Sequence, residues 1–241
     1  MPSALILGAT GQTGQHVLKV LLASKYFTHV GEYGRRLTPL DEITVGKDKL
    51  EQKIIDFEKI EESGLKDKIW DVVFITLGTS RKNAGSAEAF ERIDREYVLN
   101  AARAARTEGA DQRVVYVSSA GANASSSFLY TKSKGLTEQG LASLGYKDAI
   151  IFRPGFLVGT HRPKFRPLEY ALGCITGPLS YISSSLEINV SLLGKAVVNA
   201  GRLGSAALPS TVGATKDDGA DGNGYTVIGN AGALDLAKVV E

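Results

Sequence analysis

Tyr130 and Lys134 stand four residues apart in the run Tyr130-Thr131-Lys132-Ser133-Lys134. On a helix that spacing puts both side chains on one face, about 5–6 Å apart at Cβ. A free tyrosine titrates near ~10, too high for a group that must exchange a proton at neutral pH. A neighbouring ammonium favours the phenolate and brings that value down. Ser118 and Ser119 close an apolar run 12 and 11 residues before Tyr130. A hydroxyl there, from Ser119 or Ser118, can hold a carbonyl oxygen beside the tyrosine. Lys132 lies two positions from Tyr130 and faces away. The set suits proton transfer at an oxygen bonded to a reacting carbon.

A second set, at the other end of the chain, suits a nucleotide. The apolar run Ser3-Ala4-Leu5-Ile6-Leu7 leads into Gly8-Ala9-Thr10-Gly11-Gln12-Thr13-Gly14, and residues 16–22 follow at helical spacing. Strand, glycine-rich turn and helix are the context of a pyrophosphate-binding loop. The glycines let the backbone turn tightly and approach the phosphates, and the helix N-terminus offers unpaired N–H groups. Thr10 and Thr13 add hydroxyl donors. The spacing is G-x-x-G-x-x-G. Twenty positions past Gly14 lies Gly34, followed by Arg35 and Arg36. Where an NAD-binding chain carries an acidic ribose partner, this one has two guanidinium groups suited to a 2′-phosphate. The expected cofactor is therefore NADP(H), with Glu32 as the carboxylate that a shifted strand end would bring to the ribose. Asp56 and Phe57 are placed to meet the adenine, although Asp56 equally suits a helix N-cap. Leu77, Gly78 and Thr79 are placed along the cofactor's ribose, with Arg81 and Lys82 just beyond. The nicotinamide's charge would add to that of Lys134 in favouring the Tyr130 phenolate.

The elements that must position these groups alternate. Strands are expected at 27–33, 52–56, 70–77, 113–117 and 149–152, in addition to the first. Helices are expected at 57–65, 86–107 and 128–144. Alternation of this kind implies βαβ units with right-handed crossovers, so that every strand's C-terminal end lies on one edge. The fold class is α/β: a Rossmann-type doubly wound parallel sheet, with a small irregular C-terminal substrate or lid region. The whole chain, 1–241, is expected as one dinucleotide-binding domain, with 156–241 as the lid region. Within it, 186–203 is expected to hold a helix, 205–224 a flexible loop, 225–228 a last strand and 234–240 a last helical turn.

Composition narrows the function classes. Of the 241 residues, 28 are basic and 26 acidic, which leaves no basic excess for a nucleic-acid partner. Cys174 is the single cysteine, so no internal disulfide is possible, and His16, His29 and His161 are scattered; no metal site is expected. No G-x-S-x-G nucleophile elbow is present. The uncharged stretch 170–186 is too short to span a bilayer and is broken by Gly177-Pro178. It is expected as a pocket wall or, with the basic run 161–166, as a membrane-surface contact. A presequence is not expected, because its removal would take the first strand.

Taken together, these motifs resemble the atypical short-chain dehydrogenase/reductases. The chain is most similar there to the Tat-interacting-protein oxidoreductases and their fungal "found in mitochondrial proteome" relatives. The resemblance runs from the glycine loop through Gly34-Arg35-Arg36, Asp56-Phe57-Glu58-Lys59, Leu77-Gly78-Thr79-Ser80-Arg81, Asp94-Arg95-Glu96-Tyr97-Val98, Ser118-Ser119 and residues 130–134. It ends at Phe152-Arg153-Pro154-Gly155. It implies NADPH binding by the glycine loop, Arg35, Arg36, Leu77, Gly78, Tyr130 and Lys134, to which it adds Pro154, Leu157 and Arg166. It also implies hydride transfer to or from a carbonyl or alcohol substrate, and peripheral attachment to the cytosolic face of the mitochondrial outer membrane, with the cytoplasm as the alternative. Asp94 stands where many superfamily members carry an asparagine. A chain that binds NADPH without turnover, as a regulatory or scaffold protein, is the alternative function. Neither the substrate nor the oligomeric state is legible.

Overall fold

The computed structural model describes residues 1–159, 187–219 and 221–241. Its centre is an eight-stranded sheet in the order β3-β2-β1-β4-β5-β6-β10-β9. The strands are β1 (Ser3–Leu7), β2 (His29–Gly34), β3 (Leu50–Ile54), β4 (Val72–Ile75), β5 (Arg113–Val117), β6 (Asp148–Arg153), β9 (Thr215–Asp217) and β10 (Tyr225–Gly229). Two short strands, β7 (Phe156–Val158) and β8 (Glu187–Asn189), pair separately in parallel. In the main sheet every pairing is parallel except β9 with β10. The chain runs from β1 to β2 and β3 on one side, then crosses to β4, β5 and β6 on the other. The C-terminal ends of β1 and β4 therefore face each other across the reversal, where such sheets bind ligands.

Strands buried on both faces need apolar residues at every position, and β1 shows why its run is unbroken. Ala4 and Ile6 point into one core, with Val17 and Leu21 of α1 (Gly14–Ala23) and Leu193 and Val197 of α6 (Val190–Leu203). Leu5 and Leu7 point into the other, with Val98 and Ala101 of α4 (Tyr97–Ala105) and Leu141 of α5 (Leu129–Ala142). Ile6 and Leu7 are both fully buried. Between β4 and α4 lie the short helices α2 (Arg81–Ala84) and α3 (Ala87–Glu91), each started by a serine whose hydroxyl accepts from a backbone N–H. The last helix is α7 (Asn230–Leu236).

One expectation is refined and one corrected. The long helix expected over 86–107 is present from Ala87 to Ala105, with a π turn, Arg92–Glu96, between α3 and α4. The expected loop over 205–224 is instead largely organised: its described residues form 3-10 turns at Ser205–Ala207 and Ser210–Val212, then β9. The physical reason is the edge of the sheet. Strand β10 would otherwise leave a row of backbone groups unpaired, and β9 takes them while Val212 is buried at 3 % exposure.

Candidate active site

The glycine loop turns immediately after β1. Gly8 has φ +94°, a conformation costly for any residue with a Cβ, and a Cβ there would lie 2.9 Å from the Leu77 nitrogen. Gly14 is tighter: a Cβ would stand 2.0 Å from the Gly8 carbonyl oxygen and 2.7 Å from Thr76 Oγ1. The loop is tied to β4 by the Thr76 hydroxyl, which donates to the Gly8 carbonyl at 3.1 Å, and closed by Gly11 N–H to the same carbonyl at 3.0 Å. Helix α1 begins here with no acidic residue in its first turn, and Thr13 makes no side-chain cap. No acidic side chain of the helix's own first turn offsets its positive end. These features fit a dinucleotide pyrophosphate: a bare-backbone cradle at a helix start, beside the sheet's reversal. Thr10 is exposed, Gln12 half-buried and Thr13 buried at 7 % exposure.

At the end of β2, Arg35 and Arg36 are both exposed. Glu32 is the opposite, 1 % exposed. Its carboxylate accepts from the Thr38 N–H and hydroxyl, each at 2.8 Å, and from Gln52 Nε2 at 2.7 Å. Three donors hold it inside the turn, which leaves the two arginines as the charged groups at the strand's mouth. Asp56 is exposed and caps the turn Phe57–Glu62 by accepting from the Glu58 N–H at 3.0 Å. Phe57 is core rather than open to a base: it is 5 % exposed and stacks on Tyr97 with centroids 5.4 Å apart.

Beyond β4, Leu77 packs on the core that holds α4 and α5, while Gly78 is exposed. A Cβ on Gly78 would lie 3.4 Å from Asp94 Oδ1 and 3.5 Å from Lys134 Nζ. The strand end expected to pass a ribose runs directly past the lysine. Arg81 and Lys82 are exposed on α2.

Tyr130 and Lys134 lie on α5 and share its face. Lys134 Nζ is 6.0 Å from the centroid of the Tyr130 ring, and that half-buried ring lies 6.0 Å from Phe90, a fully packed residue of α3. Lys132 is exposed, on another side of the helix. Lys134 is 4 % exposed. It donates to the Tyr116 hydroxyl at 2.9 Å and pairs with Asp94 Oδ1 at 3.0 Å. Burial works against its charge, but Tyr116, Asp94 and Tyr130 together outweigh burial and hold it well above the ordinary lysine range. Burial, with Asp94, pushes the Tyr116 phenol up in spite of Lys134.

The two serines part company. Ser118, 7 % exposed, turns inward and donates to Glu138, a fully buried carboxylate that also binds Arg153 through Nε at 3.1 Å. Ser119 is half-exposed, and its hydroxyl reaches the Ala120 carbonyl at 3.3 Å. Pro154 is buried, its carbonyl accepting from the Ala120 N–H at 2.9 Å, so it braces the serine loop. Leu157 on β7 is half-buried against the core that holds α1. Arg166 lies outside the described residues, as do Cys174 and the stretch 170–186. Among the described residues no group of three potential metal ligands occurs, and no helix is long and apolar enough to cross a membrane.

Tyr116 and Asp94 are the site residues that sequence reasoning missed as partners of Lys134. For Tyr116 the available signal was a polar tip inside an otherwise apolar strand. For Asp94 it was a carboxylate in the apolar stripe of the helix between Phe90 and Val98.

A model of the NAD(P)H-binding family matches residues 8–166, which covers the glycine loop, Tyr130 and Lys134. The chain belongs to the NAD(P)H-binding family. It is 39 % identical over 168 residues to Protein HTATIP2 of Rattus norvegicus, covering 70 % of this chain and 67 % of that one. It is 34 % identical over 207 residues to "Protein fmp52, mitochondrial" of Emericella nidulans, covering 83 % and 88 %. Among solved structures, the Bordetella bronchiseptica enzyme WbmH in complex with NAD+ superposes with TM-score 0.60 at 18 % identity, over 83 % of this chain and 72 % of that one. That likeness is one of fold. It confirms the Rossmann-type architecture, and the family match confirms a nicotinamide cofactor.

Proposed function

We propose that this member of the family is an NADPH-dependent oxidoreductase acting on a carbonyl or alcohol. The observation that carries the reading is the shared face of Tyr130 and Lys134, opened beside Gly78 at the sheet's reversal. The bound dinucleotide would supply or accept a hydride at the reacting carbon. The chain's own residues do the rest. Tyr130 gives a proton to the substrate oxygen in reduction and takes it back in oxidation. Lys134 sets a positive charge 6.0 Å from the centre of the Tyr130 ring and offers its remaining N–H toward the Gly78 wall. Ser119 orients the substrate oxygen, since Ser118 is committed to Glu138. Arg35 and Arg36 hold the 2′-phosphate, Asp56 remains open for the adenine amino group, and the cradle of Gly8, Gly11 and Gly14 takes the pyrophosphate with hydroxyls from Thr10 and Thr13.

The relatives' names support a mitochondrial location. We place the chain on the cytosolic face of the outer membrane as a peripheral protein. Protease treatment of intact mitochondria tests that: degradation with the outer membrane whole supports it, and protection contradicts it. The activity is tested by NADPH oxidation against a panel of aldehydes, ketones and quinones. Consumption with at least one class is expected. Tight NADPH binding without consumption by any of them would replace the enzyme with an NADPH-binding regulatory protein.

A further inference from the structure

The π turn brings one carboxylate into a place where a carboxylate is expensive. Asp94 is fully buried, and its partner Lys134 has a side chain only 5 % exposed. Burying two charges costs several kcal/mol per ion unless each finds the other in good geometry. Here they meet at 3.0 Å. The carboxylate's hydrogen bonding is one-sided. Oδ1 faces the ammonium and also accepts from the Thr79 N–H at 3.3 Å, while Oδ2 is buried with no hydrogen-bond partner. An asparagine would present the same Oδ1 to the same two donors. What the acid adds over the amide is its charge.

The groups facing Lys134 come from four elements. Tyr116 reaches it from β5, Asp94 from the π turn, Tyr130 from its own helix, and the Gly78 backbone from beyond β4. Glu138, one turn further along α5, is taken up by Arg153 and Ser118. Asp94 is thus the one carboxylate among the described residues paired with Lys134.

We propose that Asp94 is a positioning residue whose charge keeps Lys134 an ammonium in a dry site, and whose Oδ1 ties that ammonium to the Gly78–Thr79 wall. This deepens the oxidoreductase reading, since a neutral amine in this place would leave no positive charge beside the Tyr130 ring. Asp94 sits within the π turn, between the buried Phe90 and Val98, as the one acidic side chain of that stretch that is buried.

The experiment is thermal melting of the unmodified protein, Asp94→Asn, and Asp94→Asn with Lys134→Met, from pH 7 to pH 10. It needs no substrate and no turnover. In the unmodified protein Lys134 is held above its unfolded value, so its contribution is fully present below about pH 10 and is lost only above that. With asparagine, burial is opposed only by Tyr116 and Tyr130, with no carboxylate beside the ammonium, and the lysine's value falls. The folded state is then penalised at neutral pH and relieved as pH rises through the variant's lowered value. Asp94→Asn should melt on the order of 10 °C lower at pH 7. That gap should shrink by pH 10. The double variant removes the orphaned charge, so it should recover much of the loss and show a gap that does not change with pH.

A pH-independent gap for Asp94→Asn, or a double variant no more stable than the single one, overturns the proposal. If Asp94→Asn fails to fold, the double variant decides the matter: folding restored supports the charge role, and folding still absent contradicts it. A protein that passes this test yet oxidises NADPH with no carbonyl would retire the oxidoreductase reading and leave the ion pair standing.

Discussion

Replacing Arg35 and Arg36 together with alanine should separate NADPH from NADH. Both side chains are exposed, and the competing carboxylate Glu32 is sequestered by Thr38 and Gln52. A charge-assisted hydrogen bond is worth about 1.5–3 kcal/mol. Exposure argues for the low end, because water and salt screen surface charges. Two contacts at about 1.5 kcal/mol each give about 3 kcal/mol, or roughly 150-fold in the NADPH dissociation constant. NADH lacks the 2′-phosphate and should lose only a fewfold. The assay is fluorescence titration of the reduced cofactors at two ionic strengths, where the NADPH preference should narrow as salt rises. A control is Glu32→Gln, which loosens the turn and should weaken both cofactors alike. Equal affinity of the unmodified protein for NADPH and NADH, or an equal loss of both in the arginine variant, would refute the reasoning.

Further outcomes follow from other parts of the cleft. Gly14→Ala should abolish nucleotide binding and lower the melting temperature, because its Cβ would sit 2.0 Å from the Gly8 oxygen. Gly11→Ala, whose nearest protein contact would be 3.2 Å, should be much milder in melting, and equal melting losses from both variants would contradict the tight packing assigned to Gly14. Ser119→Ala should lower turnover by about 10²-fold with a small change in stability, as expected for a hydroxyl that steadies charge at a reacting oxygen. Ser118→Ala, which strands part of buried Glu138, should instead show mainly in melting. Glu51 accepts from Tyr33 at 2.6 Å and pairs with Lys68; although burial opposes it, these partners hold its carboxyl below the usual range. Its contribution, about 1 kcal/mol or less for a group this near the surface, is present above about pH 4.3 and lost as pH falls through the lowered folded value. The melting gap between Glu51→Gln and the unmodified protein should therefore close in acid.

The parts of the site that were legible in the sequence are those built by neighbours along the chain. Gly8 to Gly14 form a local turn whose geometry follows from the residue types, and Tyr130 with Lys134 needs only a helix. The strands were legible because β1, β4, β5 and β6 are buried on both faces and so read as apolar runs. What escaped depends on contacts between distant elements. Apolar spacing over 86–107 does not reveal a π turn at Arg92–Glu96, nor that the carboxylate within it meets Lys134 of another helix. The partition of Ser118 and Ser119 hangs on Glu138 of α5 and Arg153 of β6, far from the serines in sequence. Phe57 was placed near a base because its position follows a strand, but stacking on Tyr97 draws it into the core. Strand β9 has no periodic signal, since only three residues pair and they face an edge.

The central claim is that Tyr130 moves the proton. Tyr130→Phe removes one oxygen and keeps the ring that packs against Phe90. The decisive measurement is NADPH oxidation by this variant with a carbonyl that the unmodified protein reduces, alongside its NADPH dissociation constant. Turnover should fall by about 10²–10⁴-fold while NADPH affinity stays within a fewfold. Turnover equal to that of the unmodified protein would mean that the proton comes from elsewhere and that Tyr130 only lines the cleft.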